Sequence, residues 1–223
     1  MNWPVIQCLT IDGIELSHVE QVKWLCDAGT DWIQLRMKTA SDTEVAEVVR
    51  ASLPICREAG VRLILNDRIH LALEMETDGV HLGRLDMGWS EARSLAGADF
   101  LIGGTVNSLD DARRAVASKA LNYVGVGPYR FTKTKQNLAP TLTESDWSGI
   151  LQELGGLPAY AIGGIRAEDL PELRARGLQG VAISSGLFRS VSVQQNYQNL
   201  LQHWSLEPRA AILTKPFEGK ELE

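Results

Sequence analysis

Val61-Arg-Leu-Ile-Leu-Asn-Asp67 is a short, almost wholly apolar run that ends in two polar residues and passes directly into the helical pattern of Arg68–Thr77. A strand apolar on both sides is one covered on both faces, as in a parallel sheet flanked by helices. The same unit recurs in both directions. Upstream, Val5–Asp12 reads as a strand, His18–Gly29 as a helix with Val19, Val22 and Cys26 on one face, and Asp31–Lys38 as a second strand. Ser41 with Glu44 three residues on forms a capping-box pattern. It opens a helix whose Val45, Val48, Val49 and Leu53 make one stripe, and Pro54 is expected to kink or interrupt that helix before Gly60. Downstream, Gly79–Arg84, Phe100–Val106, Asn122–Tyr129, Leu157–Ile165 and Gly180–Phe188 read as strands. Between and after them stand helices over Ser90–Ala98, from the Ser108/Asp111 cap to Lys119, over Glu144–Leu154, up to Gly177, and over Val191–Trp204.

Eight βα units follow one another without a composition break that would mark a linker. A right-handed parallel succession of this length closes most naturally into a single α/β domain, a (β/α)₈ barrel, expected over residues 1–206; an open doubly wound sheet is the other arrangement. Residues 207–223, with Pro208, Pro216 and a polar end, are expected to form a loose tail.

A net charge of −6 argues against nucleic-acid or membrane binding, which need a basic face, so cations that matter must be local. Cys8, Cys26 and Cys56 show no metal-like spacing, and their odd number disfavours a disulfide framework; small buried side chains are expected. The chain enters its first strand almost at once, with no signal-peptide pattern, and nothing nears the roughly 20 apolar residues of a membrane span. The expected location is the cytoplasm.

In such a barrel the carboxyl ends of all strands open on one face, where chemistry collects. Gln34, Arg36 and Lys38 alternate at the end of the second strand and so share a face. Asn66-Asp67 ends the third, Asp86 follows the fourth and Thr105 ends the fifth. A long, basic connection containing Thr132, Lys133, Thr134 and Lys135 leaves the sixth; Gly163-Gly164 leaves the seventh and Ser184-Ser185 lies on the eighth. Carboxylates able to hold Mg²⁺, flanked by Arg and Lys, suit a diphosphate. The glycine pair with the two serines suits a phosphate after strands seven and eight, where a helix start would add a favourable dipole. Each has a plainer counterpart. Arg36, Lys38 and Asp67 could form a rim salt bridge, Asp67 or Asp86 could cap a helix or close a turn, and the glycines could merely turn the chain. His81, inside a strand, reads as packed core, and Trp24, Trp147 and Trp204 as outer-layer packing.

Taken together these residues resemble thiamine phosphate synthase. The likeness is carried by Gln34-Leu-Arg36-Met-Lys38, Leu65-Asn66-Asp67-Arg68, Asp78-Gly-Val-His81-Leu-Gly83-Arg-Leu-Asp86 and Tyr123-Val-Gly125-Val-Gly127-Pro128. It continues through Thr132-Lys-Thr134-Lys135, Ile162-Gly163-Gly164-Ile165 and Gly180-Val-Ala-Ile-Ser184-Ser185, in the family's order. The resemblance implies a (β/α)₈ transferase that joins a hydroxymethylpyrimidine diphosphate to a thiazole phosphate, giving thiamine phosphate and pyrophosphate with Mg²⁺. It implies that Gln34, Arg36, Lys38, Asn66, Thr105 and Lys135 hold the pyrimidine diphosphate, with Arg36, Lys38, Lys135 and Thr105 as catalytic groups. Asp67 and Asp86 would hold the metal, and Thr132, Thr134, Gly163, Gly164, Ser184 and Ser185 the thiazole phosphate. Met37, Arg84, Thr105 and Phe131 depart from the family's usual acidic residue, Gln, Ser and Pro; alternation turns Met37 away from its cationic neighbours.

Such a reaction needs charge stabilisation on a leaving diphosphate and no general base, since a ring nitrogen attacks; no Ser-His-Asp or Cys-His set is evident. The Phe131–Pro140 connection is long enough to close over both substrates. A thiazole tautomerase, or a non-catalytic barrel that binds thiazole phosphate, would not need both carboxylates and the Arg36/Lys38 pair. The implied partners are small-molecule substrates, and a homo-oligomer stays open.

Overall fold

The computed structural model describes residues 3–131, 140–189 and 192–207. The eight strands are β1 (Ile6–Leu9), β2 (Trp32–Leu35), β3 (Arg62–Asn66), β4 (Gly79–Leu82), β5 (Leu101–Val106), β6 (Tyr123–Val126), β7 (Ala159–Ile162) and β8 (Gly180–Ile183). All pair in parallel in chain order, and β8 returns to β1 with Ile6 opposite Val181, so the barrel is closed and the open-sheet arrangement is excluded. The helices are α1 (His18–Asp27), α2 (Asp42–Ala59), α3 (Ile69–Glu74), α4 (Trp89–Ala96), α5 (Leu109–Ser118), α6 (Glu144–Leu154), α7 (Leu170–Ala175) and α8 (Val193–Ser205). A 3₁₀ turn, Ala167–Asp169, precedes α7. None of the described helices is long and apolar enough to cross a membrane. The tail beyond residue 207 lies outside the described residues.

Helix starts follow the side chains that satisfy first-turn N–H groups. Ser17, Ser41 and Thr143 each form a reciprocal capping box, with Glu20, Glu44 and Asp146, and Ser108 accepts from the Asp111 N–H. One part of an expectation fails: Pro54 does not interrupt α2, which runs from Asp42 to Ala59. Pro54 and Arg50 are both exposed, so water can take the Arg50 carbonyl that the missing N–H leaves over.

Two apolar layers result. Between sheet and helices lie the outward faces of the strands and the helical stripes, Val45, Val49 and Leu53 among them. Inside the barrel, Leu9, Trp32, Ile64, Leu101, Tyr123, Tyr160 and Ala182 pack together. The aromatic members close its amino-terminal end, with Trp32 and Tyr160 edge-on at 5.0 Å, the Trp32 indole N–H donating to the Ile6 carbonyl and the Tyr160 hydroxyl to that of Pro4. Of the tryptophans expected on the outer layer, Trp147 is buried, whereas Trp24 stands 45% exposed and packs little. Cys8 and Cys56 are buried and Cys26 partly so. With the lower end plugged, the barrel opens only where the strands end.

Candidate active site

Of the polar residues noted at the strand ends, those among the described residues stand at the carboxyl-terminal mouth. Most lie just past the regular strands, because the ladders stop earlier than the apolar pattern and leave the last residues free to turn inward. Asp67, directly after β3, adopts a left-handed backbone (φ 68°), a conformation tolerable for a short polar side chain, while its N–H donates to the His81 carbonyl at 2.8 Å. Its carboxylate is ion-paired with the Lys38 ammonium. The rim salt bridge therefore exists, through Lys38. Asp67 caps no helix: Arg68 holds the N-cap position of α3 without a side-chain bond.

Asp86 closes its own turn, its carboxylate accepting the Gly83 N–H at 2.6 Å. It also meets Asp67. Burial first, then the neighbouring Asp67 charge, push the Asp86 carboxyl above its ordinary range. Burial pushes Asp67 up too, but the Lys38 ammonium, with a hydrogen bond shared with Asp86, leaves it below that range. Two neighbouring carboxylates with the Lys38 ammonium beside them are a donor set that fits a divalent cation. Among the described residues no third His, Cys, Asp or Glu joins them, so the remaining ligands of such an ion would be phosphate oxygens and water.

Behind this pair runs a hydrogen-bonded chain through the barrel interior. Gln34 donates to Gln7 (3.3 Å), Gln7 to the Tyr123 hydroxyl (3.0 Å), and His81 links Tyr123 (Nδ1, 3.2 Å) to Thr105 (Nε2, 3.1 Å). His81 is buried, as expected, but as a polar link. If the Tyr123 hydroxyl accepts from Gln7 it donates to Nδ1, and a neutral imidazole then donates from Nε2 to Thr105. Met37 is 9% exposed and packs in the outer core, turned away from Arg36 and Lys38.

Two expected ligand-holding side chains carry buried atoms without a partner among the described residues: Asn66 Nδ2 and Ser184 Oγ. Buried polar atoms are seldom left so unless something else satisfies them. Ser185 accepts from Arg189 at 3.4 Å. Gly163 and Gly164 both have positive φ (101° and 65°), and a Cβ on them would stand 2.9 Å from Pro128 Cβ and 2.8 Å from Arg130 Cβ. Their carbonyls accept from Arg130, whose guanidinium is paired at two points with buried Asp169. The glycines are thus required by close packing against the β6 connection as well as by the turn. The expected helix start is only a 3₁₀ turn, so dipole support is weaker than anticipated. Thr132, Lys133, Thr134 and Lys135, and with them most of the long connection, lie outside the described residues.

The sequence profile of thiamine monophosphate synthase (TMP-TENI) matches residues 7–187, from β1 past the end of β8. The chain belongs to this family. Thiamine-phosphate synthase from Bacteroides fragilis is 38% identical over 200 residues, 88% of this chain and 98% of that protein. Its counterpart from Bacteroides thetaiotaomicron is 39% identical over 189 residues, covering 83% and 90%. Among solved structures, thiamine phosphate pyrophosphorylase from Pyrococcus furiosus superposes with a TM-score of 0.79 at 26% identity, over 91% of this chain and 96% of that one. Membership of the thiamine monophosphate synthase family supports thiamine-phosphate synthase activity, a transferase activity.

The end of β1 adds residues to the site that the sequence pattern alone does not single out. Thr10, Asp12 and His18 stand at the same mouth, beside Arg36 and Lys38. Their signal was present, since Thr10 and Asp12 close a strand in the manner that marked the others.

Proposed function

We propose that this protein joins 4-amino-2-methyl-5-(diphosphooxymethyl)pyrimidine to a thiazole phosphate, releasing pyrophosphate, by loss of the diphosphate before attack of the thiazole nitrogen. The observation that carries this reading is the facing Asp67/Asp86 pair with Lys38 and half-buried Arg36 at one barrel mouth. Asp67 and Asp86 would hold Mg²⁺, which when bound supplies positive charge against the diphosphate.

Around that ion, Arg36 and Lys38 offer preorganised cationic donors to the oxygen on which negative charge develops as the C–O bond breaks. Thr105, hydrogen-bonded to His81, adds a neutral hydroxyl. Buried Gln34 and Asn66 Nδ2, which has no partner among the described residues, suit the pyrimidine edge and its diphosphate. The Gly163-Gly164 turn and Ser184 suit the thiazole phosphate, with Ser185, Thr132 and Thr134 assigned there by family resemblance, and Lys135 to the diphosphate. The attacking ring nitrogen carries no proton, so no side chain need act as base; the cations, hydroxyl and buried walls hold the two substrates and limit water. Removing one such donor is expected to cost about 3 kcal/mol of barrier.

Pyrophosphate release assayed with each substrate alone and with both separates the readings, since only the synthase requires the pair. With Asp67→Asn or Asp86→Asn, the activity should fall on the order of 100-fold and its Mg²⁺ optimum move to higher concentration. Wild-type Mg²⁺ dependence in both variants would overturn the metal assignment.

A further inference from the structure

We infer that Thr10, Asp12 and His18 are positioning residues that hold the backbone of Arg36 and Lys38 so that both cations face one diphosphate. The inference rests on the diphosphate reading above and deepens it. Arg36 and Lys38 lie beyond the last residue of β2, where the ladder no longer fixes the chain. In place of ladder partners, each N–H meets a side chain from the end of β1: Arg36 N–H donates to Thr10 Oγ1 at 2.9 Å and Lys38 N–H to an Asp12 carboxylate oxygen at 3.1 Å. Thr10 Oγ1 also approaches the Arg36 carbonyl at 3.5 Å.

His18, from the first turn of α1, ties the two anchors together, with Nδ1 at 2.9 Å from Thr10 Oγ1 and Nε2 at 3.1 Å from Asp12. Against a carboxylate acceptor, Nε2 carries the hydrogen; Nδ1 then accepts from the Thr10 hydroxyl, whose lone pair takes the Arg36 N–H. Every polar atom of the bracket is used, and Thr10 is fully buried.

The arrangement is not needed to build the β1–α1 connection. Ser17 and Glu20 already cap α1. Buried Gln21 secures the loop by accepting the Ile11 N–H at 2.8 Å and donating to the Ile11 and Leu16 carbonyls at 2.9 and 3.0 Å. What Thr10 and Asp12 add is directed at the two consecutive mouth-facing positions of the β2 end. A shift of the order of 1 Å at such positions costs about 100-fold in rate where charge must be met at a set place.

The test pairs disruptive with conservative variants in the full chain. Thr10→Val and Asp12→Ala should raise KM for the pyrimidine diphosphate roughly 10-fold or more, with KM for the thiazole phosphate unchanged. Calorimetry should show a matching loss of pyrophosphate affinity in the presence of Mg²⁺. Thr10→Ser, which keeps the hydroxyl, and Asp12→Asn, whose one remaining side-chain oxygen can still accept the Lys38 N–H, should restore most of both. Unchanged pyrophosphate binding in the disruptive variants would overturn the proposal, as would equal rises in both KM values accompanied by a fall in Tm. If one disruptive variant does not fold, the other decides. A wild-type chain that binds pyrophosphate yet couples no substrates defeats the proposed reaction instead, and the calorimetric comparison still judges the bracket.

Discussion

Asp111 illustrates how one side chain joins a cap to an ion pair. Its backbone N–H donates to Ser108, while its buried carboxylate accepts from the Asn107 N–H at 3.0 Å and pairs with Arg114. Burial pushes its carboxyl up, but these donors act more strongly and hold it below the usual range. A depressed folded pKa contributes stability that is complete above the unfolded value of about 3.9 and is lost as pH falls through the folded one. Asp111→Asn should therefore be less stable by about 2 kcal/mol at pH 7. It should also show a shallower decline of Tm below about pH 4, measurable by thermal melts across pH 2–7. The Ser108/Asp111 spacing was legible as a cap, because that relation is local. Arg114 as the partner was not, and neither was the use of His81 as a link between Tyr123 and Thr105, 42 and 24 residues away in the chain.

At the scale of elements, periodicity and caps located every helix and strand, and α6 began and ended as expected at Glu144 and Leu154. Strand ends were overestimated, as in β1, which stops at Leu9 where Asp12 was expected. Apolar pattern records burial, whereas a ladder ends when neighbouring backbones diverge towards their loops, and burial continues a residue or more beyond. That α2 is not interrupted at Pro54 has a different origin: proline in a helix carries a cost, which α2 offsets through its buried stripe and caps. Since that cost persists, Pro54→Ala, which restores an N–H to the Arg50 carbonyl, should stabilise the protein by about 1 kcal/mol. A rise in Tm of roughly 2–4 °C would register it, and an unchanged or lower Tm would show that the proline is already accommodated without strain.

For the whole molecule, closure depends on what fills the barrel. At Gly103 a Cβ would lie 2.2 Å from Tyr123 Cζ and 2.6 Å from His81 Nδ1, so this strand position has no room for any side chain. Gly103→Ala is expected to destabilise the fold by about 3 kcal/mol and to break the His81–Tyr123 link, detectable as a lowered urea midpoint together with a reduced rate. The glycine is plain in the sequence; the ring it accommodates, from the adjacent strand, is not. The sequence by itself determined the eight βα repeats, the parallel closed architecture they favour, the family, and the end of the barrel where charged residues collect, because alternation, caps and apolar runs are set by near neighbours in the chain. Only the tertiary structure decided that Asp67 meets Asp86, that Lys38 is a cation at their side, that Gly163 and Gly164 are glycines partly for the sake of Pro128 and Arg130, and that Thr10 and Asp12, tied together by His18, reach the β2 end. Those contacts join residues from different βα units whose spacing along the chain carries no period, and barrel closure brings them together.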